Sequence, residues 1–287
     1  MPELPEVESV RRSLSRARLR APIEAVWRSE QALRIGAAWR DERLEQLRSA
    51  TPQRWERRGK HLIWRLQGDD GDALGLLVHL GMTGRVEVAR AGQPRALHTH
   101  VELRLADDRL LRFVDPRRFG GVRARPWNEL LAGAPLLEMG PEPLGKDFDG
   151  ARLEAAAGRS RRALRDVLLD QRVVAGVGNI YAVEALFVAR LHPLLPAYRL
   201  ATSAWERLAA AVREVLEQGL RNGGTTLRDY VDADGKAGRN QQALWVYGRA
   251  GHLCRVCGAE IQGFSHGGRT GAFCPVDQRR PRARRVR

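Results

Sequence analysis

Cysteine is scarce in this chain: there are three, all between positions 254 and 274. So small and clustered a set argues against a disulfide framework and for a local metal site in a reducing compartment. Long apolar runs are also missing. No stretch approaches the ~18 residues needed to cross a bilayer. The N-terminus is acidic and punctuated by proline, without the apolar core of a secretory signal. A cytoplasmic location is therefore expected. Acidic residues are outnumbered, 34 Asp+Glu against 49 Lys+Arg, which leaves a net charge of +15 and a pI near 11.0. That field attracts polyanions and supplies the sequence-independent part of nucleic-acid affinity. Charge alone would equally suit a ribosomal, RNA-binding or membrane-surface protein.

What is present divides into two kinds of pattern, and 287 residues suffice for two domains with cores of their own. Val7, Val10, Leu14 and Ala17 form one apolar stripe, predicting a helix over Val7–Leu19. From Ile23 to about Val122 the pattern changes to short apolar runs with period-two alternation, such as Leu62–Leu66, Leu74–Leu80, Arg85–Val88, Val101–Leu105 and Leu110–Val114. Turn signals separate them, which predicts an antiparallel sandwich or barrel. Prolines and glycines then crowd 126–150 and read as a connector. Beyond it the spacing is helical over Leu153–Ala157, Ala163–Leu169, a segment beginning near Asn179, and Trp205–Leu220. The expected class is α+β: a sandwich domain over 1–125, a connector over 126–150, a helical domain over 151–245, and a hairpin with a basic tail over 246–287.

Several short stretches carry potential chemistry. The chain opens Met1-Pro2-Glu3-Leu4-Pro5-Glu6-Val7-Glu8. Initiator methionine is normally removed before a residue as small as proline, leaving Pro2 with a free secondary amine. Such amines titrate near pH 8, so a usable fraction is unprotonated at neutrality. One can attack a sugar C1′ or an aldehyde to give an iminium intermediate. Glu3 is placed to move protons and Glu6 to orient the amine. Lys60 follows Arg57-Arg58-Gly59 at a strand entry. Met82 lies in the turn His79–Gly84, and Arg117 and Phe119 lie in Asp115–Gly120. Apolar side chains on loop tips beside arginines either cap a core or push between base steps while cations hold the backbone. His98 and His100 alternate on an expected strand and so share a face, as structural or DNA-proximal groups. Gly176-Val177-Gly178 allows a tight turn before a helix starting near Asn179, whose unpaired N–H groups offer a phosphate seat.

Near the C-terminus, Cys254-x2-Cys257-x16-Cys274-x2-Asp277 has the spacing of two knuckles around tetrahedral zinc, with an aspartate in the fourth position. Three readings remain open at this stage: Asp277 completes the site, His252 or His266 replaces it, or the hairpin holds metal weakly or not at all. Arg269 falls at the hairpin tip, and Arg279–Arg287 is a basic tail that adds non-specific attraction to DNA.

Together these stretches resemble the formamidopyrimidine-DNA glycosylases, the bacterial base-excision enzymes for oxidised purines. The resemblance runs from Pro2-Glu3-Leu4-Pro5-Glu6-Val7-Glu8 through Arg57-Arg58-Gly59-Lys60, the Met82 and Arg117–Phe119 loops, and Gly176–Tyr181, to the hairpin. It implies Pro2 as nucleophile and Glu3 as acid/base, with Lys60 on the phosphate beside the damaged nucleotide. It also implies Met82, Arg117 and Phe119 filling the gap left by a flipped base, Asn179 on backbone phosphate in a helix–two-turn–helix, and Arg269 in the minor groove. The segment Thr225–Gly238 would close over the everted base, a structural zinc would sit at the hairpin, and the partner would be damaged or abasic duplex DNA bound by a monomer. The chain departs from the family at Thr99, Arg165, Val183, Arg239-Asn240 and Asp277. An endonuclease VIII-like enzyme for oxidised pyrimidines is the nearest rival, against which Leu4 argues, since that branch typically has glycine there. A non-catalytic DNA-binding paralogue is the alternative from outside the enzyme class.

Overall fold

A computed structural model describes residues 2–31, 42–227 and 230–279. Met1, Arg228-Asp229 in the expected closing segment, and the basic tail beyond Arg279 lie outside them. The chain divides into two compact units. One comprises Met1–Glu138 with Leu220–Gln241, the other Met139–Gly219 with Gln242–Arg287.

The first unit opens with helix α1 (Leu4–Ala17), which begins three residues before the apolar stripe predicts. The reason is local. Pro5 is tolerated in a first turn, where its missing N–H has no partner to lose. Glu3 stands at the N-cap, and its N–H donates to the Glu6 carboxylate at 2.8 Å. The helix ends at Arg18 in the left-handed conformation, φ 49°. Its inward face, Leu4, Val7, Val10 and Leu14, is wholly buried.

Eight strands follow: β1 (Ile23–Arg28), β2 (Thr51–Arg58), β3 (His61–Gln67), β4 (Ala73–His79), β5 (Arg85–Arg90), β6 (Thr99–Leu105), β7 (Arg109–Val114) and β8 (Gly121–Pro126). They form two antiparallel sheets of order β1-β6-β7-β5 and β2-β3-β4-β8. Period-two alternation turns one set of side chains inward from each sheet. Trp64, Leu76, Val78 and Val122 meet Val86, Leu103, Leu111 and Phe113 in one shared cluster, to which α1 adds Val7, Val10 and Leu14. Trp55 and Trp64, directly opposite in the β2–β3 register, stack with ring centroids 4.8 Å apart. This is the expected sandwich with a flanking helix. A short helix, α2 (Trp127–Ala132), closes the strand region within the span expected to be connector, and residues 220–241 also pack in this unit.

The second unit contains α3 (Gly150–Ala157), α4 (Leu164–Leu169), α5 (Asn179–Val188), most of α6 (Thr202–Arg221), and a hairpin of β9 (Gln262–His266) and β10 (Arg269–Phe273). Helix α5 is apolar nearly all round and buried accordingly. Its one acid, Glu184, is 2% exposed and accepts the backbone N–H groups of Trp245, Val246 and Tyr247 at 2.7, 2.9 and 2.8 Å. Burial pushes the Glu184 pKa up against the pull of these three donors, which tie α5 to the segment entering the hairpin. Among the described residues, no helix is long and apolar enough to cross a membrane.

Candidate nucleic-acid interface and metal centre

Helix α1 delivers Pro2 and Glu3 at its N-terminus. Pro2 is buried, and Glu3 and Glu6 are 2% and 1% exposed. One Glu6 oxygen accepts the Glu3 N–H, and the other accepts the Thr225 N–H at 2.6 Å. Tyr230 adds its hydroxyl to the Glu6 carbonyl at 3.1 Å. Burial, followed by the Glu6 charge, raises the Tyr230 phenol pKa, so the phenol stays a donor. Glu6 thus joins the helix start to the base of the 222–241 segment. Further along α1, Ser13 Oγ accepts the Ala233 N–H at 3.0 Å and Arg16 pairs with Asp234 at 2.8 Å.

The Arg239-Asn240 departure has a structural use at its second residue. Asn240 is 1% exposed and donates to Thr225 Oγ1 at 2.9 Å, while Asn222 donates to Asn240 Oδ1 at 3.0 Å. These bonds staple the two ends of the segment together.

Lys60 lies in the β2–β3 turn, where Gly59 takes φ 53°, and is only 8% exposed. Arg57 holds this turn to α1, donating to Glu8 at 3.2 Å and to the Gly59 carbonyl at 3.0 Å. Two histidines lie beside Lys60 in the chain and across the sheet, His61 and His79, with ring centroids 4.9 Å apart. Burial, and then His79, depress the His61 pKa to about 3. Burial, and then the Lys60 charge, depress His79 to about 4. Both rings are therefore neutral at pH 7.

Met82 is 40% exposed, Arg117 is exposed, and Phe119 is half-buried with the Arg117 guanidinium 4.7 Å from its ring centroid. Their two loops are joined by Asp115, which the sequence did not single out. This wholly buried carboxylate accepts Thr83 Oγ1 at 2.6 Å and the Gly120 N–H at 2.7 Å. A side chain at Gly81 would place its Cβ 2.4 Å from backbone atoms of Phe119 and Gly120, so contact between the loops requires glycine there. The expected pairing of His98 with His100 on one strand face is corrected. His98 precedes β6 with φ 65° and is exposed, which breaks the alternation. His100 is buried between Ser29 Oγ and the Asp115 carbonyl, 3.0 Å from each.

In the second unit, Asn179 is the first residue of α5 and donates from Nδ2 to the Thr270 carbonyl at 2.8 Å. The loop before it is braced by Gln171, a role that the sequence does not signal. Gln171 accepts the Gly176 N–H at 2.8 Å and donates to the Val177 carbonyl at 2.9 Å. Arg269 is exposed beside the two-residue turn Gly267-Gly268, both left-handed at φ 54° and 70°, which suits a hairpin turn.

Cys254, Cys257, Cys274 and Asp277 bring four ligand atoms within 4.8 Å of one another. A tetrahedron with ~2.3 Å metal–sulfur bonds has edges of roughly 3.8 Å. The observed Cys257–Cys274 and Cys254–Asp277 approaches of 3.3 and 3.4 Å suit it. Backbone N–H groups of Val256 and Asp277 point at the Cys254 and Cys274 sulfurs from 3.5 and 3.4 Å, as orienting partners of metal thiolates do. Hydrogen bonding by Cys257, with Cys274 and Cys254 behind it, holds the Asp277 carboxyl below its usual range. Neither histidine belongs to the group, and His266 is engaged with Asp166 at 2.9 Å. The donor set fits one divalent cation of zinc type.

Two described families of domain match the chain. Residues 1–122 match the formamidopyrimidine-DNA glycosylase N-terminal domain, and residues 139–231 match the H2TH domain of the same glycosylase. The formamidopyrimidine-DNA glycosylase of Stutzerimonas stutzeri is 40% identical over 286 residues, covering 97% of this chain and 100% of that protein. The enzyme of that name from Moorella thermoacetica is 43% identical over 264 residues, covering 91% and 94%. A complex between the Lactococcus lactis Fpg and abasic-site DNA superimposes with a TM-score of 0.87 at 35% identity, covering 97% of this chain and 100% of that one. A complex of that Fpg with Fapy-dG-containing DNA gives 0.85 at 34%, with the same coverage. The chain belongs to the formamidopyrimidine-DNA glycosylase family.

Proposed function

We propose that this DNA glycosylase of base excision repair is bifunctional, removing oxidised purines such as 8-oxoguanine and formamidopyrimidines and then cutting the strand as an apurinic/apyrimidinic lyase. The observation that carries the reading is the buried Pro2-Glu3 start of α1, locked by Glu6. After loss of Met1, the Pro2 nitrogen attacks C1′ of the flipped nucleotide. The glycosidic bond breaks, the base leaves with its bonding pair and a proton, and the sugar opens to an iminium on the proline. Flipping is required because C1′ of a stacked, paired nucleotide is out of reach. The iminium acidifies the adjacent sugar C–H, so β- and then δ-elimination expel the two flanking phosphates and water releases Pro2. Glu3 carries protons in these steps, and Lys60 holds phosphate.

Met82, Arg117 and Phe119 fill the vacated stack, with His98 near the backbone. Asn179 and Arg269 supply the second unit's contacts to phosphate and minor groove. Cys254, Cys257, Cys274 and Asp277 hold one structural zinc. That ion supplies folding free energy to a hairpin too small for a core of its own and takes no part in the chemistry. The enzyme acts as a monomer on damaged or abasic duplex DNA in the bacterial cytoplasm.

Borohydride trapping tests the reading on duplexes carrying 8-oxoguanine opposite cytosine or an abasic site. A covalent adduct on both, mapped to Pro2, is expected. An adduct on the abasic duplex alone would retain the lyase and reject the purine preference. No adduct on either, with Pro2 established as the terminus, would reject covalent catalysis.

A further inference from the structure

The tip of the β9–β10 hairpin is gripped by side chains that neither the metal group nor the proposed chemistry uses. Arg165 is wholly buried. Its Nη2 donates to the His266 carbonyl at 2.7 Å and its Nη1 to the Arg269 carbonyl at 3.3 Å. Both Nε and Nη2 also reach Asp166 Oδ1, at 3.1 and 2.7 Å, and Asp166 Oδ2 meets His266 Nε2 at 2.9 Å. The same guanidinium lies 5.6 Å from the Phe264 ring centroid. Asn179 holds the Thr270 carbonyl from the start of α5.

His266 and Arg269 flank the Gly267-Gly268 turn, so both of its shoulders are fixed from helix α4. The metal group lies at the other end of the hairpin, where Cys274 follows β10. An isolated two-stranded hairpin is marginal in water. Metal at its base leaves the direction of its tip to other contacts. An arginine is suited to this because a planar fork reaches two carbonyls and a carboxylate at once, which a lysine's point charge does not.

We propose that Arg165 and Asp166 are positioning residues that aim Arg269 at DNA by holding the hairpin tip through its backbone, independently of the metal. The proposal rests on the reading of Arg269 as a DNA contact.

The test is equilibrium binding to a duplex containing a tetrahydrofuran abasic-site analogue. It compares the full chain with Arg269→Ala, Arg165→Lys, Asp166→Ala, and each of the last two combined with Arg269→Ala. Arg269→Ala is expected to weaken binding about tenfold. Arg165→Lys and Asp166→Ala should each weaken it about fivefold alone, and about twofold or less in the Arg269→Ala background, because a residue that acts through Arg269 has nothing left to aim. Zinc content should stay that of the unaltered chain. Losses that multiply in the double variants would overturn the proposal, as would zinc loss in Asp166→Ala. If Arg269→Ala itself left binding unchanged, the DNA-contact reading would fail and the proposal with it. Asp166 is 29% exposed, so its variant carries the test should the buried Arg165 position not fold.

Discussion

The N-terminal end and the hairpin end of this protein are built to different tolerances. At the first, Glu3 and Glu6 are almost fully buried and both Glu6 oxygens are committed to backbone N–H groups. At the second, Cys257 and Arg269 are exposed and Asp277 is half-buried. The contrast follows the work proposed for each end. Covalent attack needs reacting atoms held within a fraction of an ångström, whereas a groove contact needs a cation on a supported backbone. The departure from the family at Asp277 and the departure at Arg165 both fall at the tolerant end. There the lost features, a fourth thiolate and a lysine, are met by a carboxylate and a guanidinium that fit the local geometry.

The largest expected effect tests the strict end. Glu3→Gln keeps shape and N-cap capacity but removes the proposed proton carrier. Base excision from an 8-oxoguanine duplex should fall by about a hundredfold or more, with binding to the tetrahydrofuran duplex within a few-fold of the unaltered enzyme. Measured side by side, rate and binding must separate. If they fall together, Glu3 serves to build the terminus and not to move protons.

The next effect is on stability and belongs to the sandwich. His61 and His79 have pKa values depressed from 6.5 to about 3 and about 4 in the folded protein. Below pH 6.5 the unfolded chain therefore takes up protons that the folded chain does not. Stability is fully present above that pH and falls on acidification, by roughly 1.4 kcal/mol per pH unit for each histidine. The fall levels off near pH 4 for His79 and near pH 3 for His61. His79 also accepts the Gly81 N–H on Nδ1 at 3.2 Å, a bond that requires that nitrogen to be unprotonated. Denaturant unfolding at pH 7 and pH 5 should show the loss, and His79→Gln should reduce its slope. An equal slope in the variant would assign the acid sensitivity to other groups.

Much of both ends was legible in the sequence, and what was not has a common cause. The positions of β3 to β7 follow from alternation, and α6 from its apolar spacing, because those signals are local and repeated. The start of α1 at Leu4 was hidden because Pro5 reads as a breaker until the Glu3–Glu6 cap is seen around it. His98 escaped because a single left-handed residue breaks an alternation that the sequence alone continues. Asp115, Gln171, Glu184 and Arg165 have bracing roles with no sequence signal, even where the residue falls in a quoted stretch. Each is a polar side chain defined by backbone groups it satisfies, from two to over a hundred positions away, and such partners come together only on folding. Residues 220–241 gave a loop signal, yet their place in the first unit rests on Glu6, Ser13 and Arg16 at the far end of the chain.

The smallest effect tests the tolerant end. Zinc binds thiolate more strongly than carboxylate in a soft-donor set, and Asp277 and Cys257 form the less buried half of the group. Asp277→Cys should therefore release zinc to a colorimetric chelator several-fold more slowly than the unaltered protein, and Asp277→Ala faster. Excision rate and unfolding midpoint should barely change in the cysteine variant, since the hairpin is already held at its tip by Arg165 and along its entry by Glu184. Equal release rates in all three proteins would remove Asp277 from the ligand set. A large gain in excision in the cysteine variant would break the comparison from the other side, because the hairpin would then be no softer in its demands than the buried terminus.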